Sequence, residues 1–185
     1  MRLRSLWPAL PFAFLASLPV LAGGGNVSPQ QGSSIRATFR QEAVPVEAPF
    51  QRFTGTIVYD PARPAAATAA LDVETGSFDI GDPAYNAEVA KPAWFDAAKH
   101  PRATFRSTVV KPTGPGRFTA TGVLNIKGRA LTINVPIVVR KSGKTTTFDG
   151  SFEISRKSFA IGDPLWDDVL EDKVLVTFHL VTPAG

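Results

Sequence analysis

The sequence predicts an all-β domain of eight antiparallel strands, and three observations support that prediction. Apolar residues recur at every second position in eight segments, short turns rich in Gly and Pro separate most of these segments, and helical patterns of ten or more residues are missing. Short turns of this kind join antiparallel neighbours. Eight strands with one apolar face each form either a closed barrel or a two-sheet sandwich, and the pattern alone does not choose between them.

Each predicted strand is defined by its alternating apolar face. The eight segments are residues 34–41, 53–60, 67–78, 102–110, 117–126, 130–140, 146–155 and 173–181. In the fourth strand the inward set is predicted to be Ala103, Phe105, Ser107 and Val109. Pro136 lies inside the sixth strand and cannot donate to a ladder, which predicts a bulge or an open seam there.

One phrase occurs twice, as "FDIGDP" at 78–83 and "FAIGDP" at 159–164. In each copy we expect a strand to end at Phe-x-Ile, Asp to cap a short helical turn and Pro to begin it. By our count the phrases end the third and seventh strands, so both turns should lie over the same mouth. Tyr85, Trp166 and Trp94 would then point at that mouth, or else these turns are end caps that plug a solid core.

The first residues have the layout of a secretory signal peptide, with Arg2 and Arg4 before an uncharged apolar run of 17 residues. A membrane span needs about 20 apolar residues, which disfavours the alternative of an uncleaved anchor. We therefore expect a signal peptide at 1–22, a flexible lead-in at 23–33 and one domain at 34–183. The chain has no cysteine, and export to the periplasm is the expected location.

Charge and motifs exclude several function classes. The net charge of +4 falls close to neutral once the two arginines of the leader are removed, so no nucleic-acid partner is expected. The histidines, His100 and His179, have no ligand spacing, so no metal is expected. Asp167 and Asp168 are adjacent and diverge on a helical turn, which favours a solvated face over an acid–base pair. The sequence therefore predicts a protein that is not an enzyme.

The aromatic content points to binding. Eleven of the 13 phenylalanines follow residue 22, and most lie on a predicted apolar face. Small residues share those faces, which indicates room for an apolar ligand in a barrel of this size; glycines that let strands curve are the alternative explanation. The small residues are Gly55, Ala69, Ala103, Ser107, Ala120, Gly122 and Gly150.

Four stretches closely resemble the YceI family of exported proteins: "FQRFTGTIVYDPARP", "WFDAAKHPRATFRST", "GRFTATGVLNIKGRALTINVPI" and "SRKSFAIGD". The resemblance runs from about residue 33 to residue 181. It implies a lipocalin-like eight-stranded antiparallel β-barrel, with short helical turns between strands 3 and 4 and between strands 7 and 8. It also implies that an internal tunnel binds polyisoprenoid or related amphiphilic lipids, with links in some members to quinone or cytochrome b systems.

On this basis we expect a periplasmic binding or carrier protein for an isoprenoid, quinone or related lipid, with no cofactor besides that lipid. The expected partners are the lipid and a membrane surface or membrane-bound redox protein, and the expected state is a monomer or homodimer. The expected ligand-binding residues are Phe53, Phe105, Phe118, Leu124, Ile133, Phe152 and Phe178 in the lining, and Tyr85, Trp94 and Trp166 at the mouth. Arg156 matches a recurrent family arginine that either holds an anionic head group or pairs with a carboxylate. Two other functions stay open: a stress or interaction protein with a filled barrel, and a hydrolase or isomerase on the same scaffold.

Overall fold

The computed structural model describes residues 24–184, and these form one antiparallel sheet of ten strands that curls into a half-barrel. The strands are β1 (Gly24–Val27), β2 (Ser34–Gln41), β3 (Val44–Pro49), β4 (Phe53–Val58), β5 (Thr68–Glu74), β6 (Arg102–Gly114), β7 (Arg117–Ile126), β8 (Arg129–Ser142), β9 (Thr145–Ser155) and β10 (Lys173–Pro183). The helix α1 (Pro83–Val89) follows β5. Single 3₁₀ turns lie at Pro29–Gln31, Pro64–Ala66, Thr75–Ser77, Lys157–Phe159 and Pro164–Trp166. The strand order is β1-β4-β5-β6-β7-β8-β9-β10-β2-β3.

The all-β, antiparallel prediction is confirmed, but the predicted count of eight strands and the closed barrel are corrected. The ladder of the described residues ends at β1 on one side and at β3 on the other. Residues 24–27 are not a flexible lead-in, because β1 pairs with β4 and Val27 is only 1% exposed. Both added strands are short and their segments contain Gly or Pro, so the period-two pattern is too brief to identify them. The predicted signal peptide at 1–22 lies outside the described residues.

A bulge in β6 reverses part of its predicted face. The register of β6 against β7 shifts between Ser107 and Val109, which places one extra residue in the strand. Val109 is therefore 46% exposed on the outside, whereas its neighbour Val110 faces the interior. The predicted inward position of Val109 was wrong for this reason.

The predicted seam at Pro136 is confirmed. The β8–β9 ladder begins at Ile137, so residues 129–136 of β8 pair with β7 alone. Proline has no N–H to offer a second partner. The hydrogen-bonded contact between β8 and β9 is therefore confined to the half of β8 that follows Pro136.

The structure brings the two copies of the repeated phrase together at one end of the half-barrel. The Gly162 N–H donates to the Ala93 carbonyl over 2.9 Å, and the rings of Trp94 and Trp166 lie 6.4 Å apart. Asp82 accepts the Ala84 N–H and caps α1, as the sequence predicts. The strands, however, end before the phrases: β5 at Glu74 and β9 at Ser155. The Phe-x-Ile pairs thus belong to the connections rather than to strand ends.

Four connections meet at this end, which we call the mouth: β5–β6, β9–β10, the β7–β8 turn and the β2–β3 turn. The last of these is tied in by the Glu42 N–H, which donates to the Val169 carbonyl over 2.7 Å. None of the helices in the described part of the chain combines the length and apolar character that crossing a bilayer requires.

A candidate ligand cavity inside the curled sheet

A cavity of about 400 Å³ runs inside the curled sheet and reaches the surface at the mouth. Its wall comes from the inward faces of β2 to β10 together with the β5–β6 connection, which contains α1, and the β9–β10 connection. The lining extends to Tyr85 and Trp166, which are also exposed on the surface. Such a volume lies within the range of about 300–1,000 Å³ found for small-molecule sites.

The wall is apolar almost throughout because the period-two pattern turns one side chain in two toward the interior. Val110, Ala120 and Val135 are cross-strand neighbours on β6, β7 and β8, and all three face the cavity. Ala120 is only 1% exposed, and its methyl group is the smallest of the three side chains.

Glycines on the inner face hold aromatic rings against the wall. A Cβ at Gly122 would lie 2.5 Å from Cζ of Phe105, and one at Gly150 would lie 2.5 Å from Cζ of Phe178. Each ring therefore lies over a glycine of the neighbouring strand instead of projecting across the interior. The sequence predicts that the glycines themselves leave space, but the space arises because the rings can lie along the sheet.

Nine of the eleven predicted site residues lie along the cavity wall, and two do not. The nine are Tyr85, Trp94, Phe105, Phe118, Leu124, Phe152, Arg156, Trp166 and Phe178. Phe53 lies instead in a buried core cluster with Val27. Ile133 packs against the cluster around the buried Phe159. Both face inward as the alternation predicts, but neighbouring side chains separate them from the cavity.

Several wall residues were absent from the predicted set. Ile35, Ala37 and Phe39 of β2 line the cavity, and their alternation was visible in the sequence. Phe50 and Phe78 also line it, with ring centroids 4.9 Å apart. They lie in irregular segments, so no period-two signal could have identified them.

Tyr59 lies in the cavity wall directly after the end of β4. Its ring meets those of Phe118 and Phe148 edge-on, at centroid distances of 6.0 and 5.6 Å. Burial raises the pKa of the Tyr59 hydroxyl, and the nearby Asp60 carboxylate adds to that effect. The hydroxyl is therefore neutral at physiological pH.

Arg156 is buried at the mouth, with only 3% of its side chain exposed, and four hydrogen bonds hold its guanidinium. Nη2 donates to Asp167 Oδ1 over 2.7 Å and to the Leu170 carbonyl over 2.9 Å. Nε donates to the Glu171 carbonyl and Nη1 to the Ile161 carbonyl, each over 3.1 Å. The arginine thus fixes the β9–β10 connection, and its charge is already met by a carboxylate.

The pairing with Arg156 shifts the pKa of Asp167. The hydrogen bond from Arg156, followed by one from Lys157, holds the pKa of the Asp167 carboxyl below its ordinary value. Gly162 lies beside the same guanidinium, with φ at +116°, and a Cβ at this residue would lie only 2.3 Å from Nη1 of Arg156. Glycine is required there both for the backbone angle and for the space.

Lys127 ties the β7–β8 turn to both long connections. Its Nζ donates to the Ala160 carbonyl over 2.6 Å and to the Ala93 carbonyl over 3.3 Å. Burial lowers the pKa of this ammonium group. Sequence reasoning missed Lys127 because a lysine in a "KGR" turn is typical of a solvated residue.

Trp94 has a polar group without a partner. In the described part of the chain, its Nε1 is the buried side-chain donor that lacks a hydrogen bond. The ring packs edge-on against Trp166 at the mouth. An unpaired N–H in such a place costs about 1–3 kcal/mol, which a ligand acceptor would recover.

The described residues offer no cluster of three or more His, Cys, Asp or Glu side chains that could hold a metal ion. His179 contacts Asp149 on the outer face of β10 through Nδ1, at 2.5 Å. In the cavity wall the ionisable side chains are Tyr59, Tyr85, Glu88 and Arg156, and Glu88 is paired with Lys91.

A family model for the YceI-like domain matches residues 27–182. The chain belongs to the YceI family. The match covers nearly every described residue, including β2 to β9, nearly all of β10 and the mouth.

Curated and solved relatives agree with this membership. A UPF0312 protein of Azotobacter vinelandii is 30% identical over 122 residues, which are 60% of this chain and 62% of that protein. A UPF0312 protein of Vibrio cholerae is 26% identical over 163 residues, which are 83% of this chain and 86% of its own length. The crystal structure of BcnA from Burkholderia cenocepacia is 40% identical with a TM-score of 0.79, covering 82% of this chain and 96% of that one.

Two more distant YceI-like structures show the fold alone. A polyisoprenoid binding domain from Saccharophagus degradans, implicated in plant cell wall breakdown, has a TM-score of 0.70 at 16% identity and covers 87% of this chain and 99% of its own. The YceI protein of Campylobacter jejuni has a TM-score of 0.65 at 14% identity, with coverage of 100% and 99%.

Proposed function

We propose that this YceI-family protein is a periplasmic carrier that encloses the apolar chain of an isoprenoid, quinone or related lipid in its cavity. The observation that carries the proposal is the continuous apolar wall around about 400 Å³, which reaches the surface between exposed aromatic side chains. The predicted leader at 1–22 supports the periplasmic location. The Saccharophagus degradans domain, named for polyisoprenoid binding, supports the class of ligand through its shared fold.

The free energy of such a complex comes from removing the lipid chain from water. Each methylene contributes about 0.8 kcal/mol, so a five-carbon isoprene unit contributes about 4 kcal/mol. Transfer from a bilayer gives almost none of this, because the chain is already in an apolar medium. Selection among lipids must therefore depend on the width of the bore and on the mouth.

The mouth favours an uncharged head group. Arg156 is held by Asp167 and three carbonyls, and Glu88 is paired with Lys91, so the charges of the wall are already balanced. The unpaired Trp94 N–H is a neutral donor suited to a carbonyl or hydroxyl oxygen. A quinone or prenyl alcohol fits this arrangement better than a prenyl phosphate, which would need a free cation.

Catalysis has less support than binding. The wall holds few ionisable groups, and the two charged ones are paired, Glu88 with Lys91 and Arg156 with Asp167. A hydrolase or isomerase would need a general acid or base aimed at a polar substrate. A filled barrel that acts only through its surface is also disfavoured, because the interior contains a cavity.

Lipid extraction tests the proposal directly. The protein is purified from its own host without detergent, and the organic extract is analysed by mass spectrometry alongside native mass spectrometry of the intact complex. We expect a prenyl lipid at close to one molecule per chain. In parallel, N-phenyl-1-naphthylamine should bind saturably and be displaced by the prenyl alcohol farnesol. An empty extract together with no saturable probe binding would refute the proposal.

A further inference from the structure

The mouth presents an exposed apolar side chain, Leu165, that does not line the cavity. Leu165 is 88% exposed, the highest value among the large apolar side chains of the described residues that are exposed. It lies in the 3₁₀ turn Pro164–Trp166, and Tyr85, which is 58% exposed, lies in another connection of the same mouth. Tyr85 and Trp166 also border the cavity, whereas Leu165 points into solvent.

We propose that this turn, with Tyr85, is a docking surface that inserts into the interface of a lipid bilayer whose head groups carry no net charge. The inference rests on the proposed function, because it concerns how the same mouth receives its lipid. Leucine would enter the boundary of the acyl chains, while tyrosine and tryptophan take the head-group level that their amphipathic rings prefer.

The position of the surface favours a bilayer over water as the source of the ligand. Tyr85 and Trp166 lie both on the surface and in the cavity wall, and Leu165 precedes Trp166 in the same turn, so a lipid leaving a bilayer at this place would enter the bore without crossing water. The turn is held firmly enough to insert, because the Asp163 carboxylate caps it through the Leu165 N–H at 2.9 Å. Arg156 then fixes the segment behind it through Asp167.

The charges around the turn favour a bilayer whose head groups carry no net charge. Residues 162–172 contain five carboxylates and no basic residue. Two of these acids face cations or amides of the protein, namely Asp167 toward Arg156 and Lys157, and Asp172 toward the Lys157 N–H. Asp163, Asp168 and Glu171 lack a cationic partner among the described residues. These unpaired carboxylates are repelled by an anionic membrane surface at low salt, whereas a zwitterionic surface does not repel them.

Vesicle sedimentation with matched variants tests the docking surface. The exported protein is mixed with phosphatidylcholine vesicles, with or without a share of phosphatidylglycerol, at low and high salt. We expect association with phosphatidylcholine, weaker association when phosphatidylglycerol is added at low salt, and recovery at high salt. The variant Leu165→Ser should lower the partition coefficient about five- to tenfold.

Val109→Ser is the control, because Val109 is an exposed apolar residue on the outer face of β6 after its bulge and far along the strand from the mouth. It should sediment as the unaltered protein does. Equal behaviour of the two variants would overturn the proposal, as would association that grows with phosphatidylglycerol at low salt. Binding to a basic protein with no vesicle association would overturn it in favour of a protein partner.

A separate readout distinguishes this proposal from the proposed function. Without vesicles, Leu165→Ser should bind N-phenyl-1-naphthylamine as tightly as the unaltered protein. With vesicles, it should take up a fluorescent prenyl lipid about five- to tenfold more slowly, in proportion to its lost partitioning. Failure of the unaltered protein to bind the probe would refute the carrier function and leave the sedimentation result to decide docking.

Discussion

The width of the bore at Ala120 gives a quantitative prediction about ligand binding. Ala120→Phe would place a ring among Val110 and Val135, inside the cavity of about 400 Å³. A benzene ring occupies a cavity of about 150 Å³, so the variant would lose more than a third of the available space. That is enough to displace about one isoprene unit from the bore.

The displaced unit sets the size of the effect. Five carbons at about 0.8 kcal/mol each amount to about 4 kcal/mol, and about 1.4 kcal/mol corresponds to a factor of ten in Kd. We therefore expect the Kd for farnesol, measured by displacement of N-phenyl-1-naphthylamine, to rise by about two to three orders of magnitude. The free energy of unfolding in urea should change by less than about 3 kcal/mol, the upper end of the usual cost of overpacking, because Ala120 lines the cavity.

The matched control lies on the same strand. Val123 is 37% exposed on the outer face of β7, so Val123→Phe adds a ring without entering the bore and should leave the Kd unchanged. If a folded Ala120→Phe protein binds farnesol within about threefold of the unaltered protein, the cavity is not where the lipid chain lies.

Three further predictions concern the wall and the mouth. Gly122→Ala should reduce the free energy of unfolding by about 1–3 kcal/mol, because its Cβ meets Phe105 and the Arg106 carbonyl; Gly114→Ala, with 3.9 Å to the nearest atom, should be neutral in the same urea titration. Arg156→Lys should lower the free energy of unfolding by about 3 kcal/mol, because a lysine cannot reach four acceptors. Limited proteolysis should then cut the variant within 160–172. An uncut, equally stable variant would contradict the role assigned to the arginine. The pKa of Asp167 is lowered on folding, so the ionised carboxylate stabilises the fold above the ordinary carboxyl range, and this effect is lost as the pH falls through the lowered pKa. When Tm is measured against pH, its fall on the acid side should therefore be shallower in Asp167→Asn than in the unaltered protein. Identical acid limbs would show that the pairing is not coupled to folding.

Much of the cavity wall could be predicted from the strands. Alternation identifies the inward side of β7 and β10, and so Phe118, Leu124 and Phe178, because a strand turns every second side chain to the same face. The same rule failed in β6 after Ser107, where a one-residue bulge moves Val109 outward and Val110 inward. No pattern of residue types marks where such a bulge falls.

The mouth was predicted in part, through the repeated phrase. The Asp-Pro pairs indicated two capped turns, and strand parity indicated that they share one end. The contacts that join them were not visible, because Lys127 and Ala93 are 34 positions apart and a lysine carries no sign of its acceptors. Alternation also did not separate core from cavity wall, because Phe53 faces inward as predicted but belongs to a buried core cluster and does not line the cavity.

The sequence by itself determined that this chain is an antiparallel β protein with one apolar face per strand and two capped turns at one end, because strand alternation and turn chemistry are local properties. The tertiary structure decided that ten strands curl around an open bore, that rings lie along the wall over Gly122 and Gly150, and that Arg156 supports the mouth instead of offering a free charge. These features depend on contacts between side chains that are far apart in the sequence, and such contacts form only when the whole sheet curls.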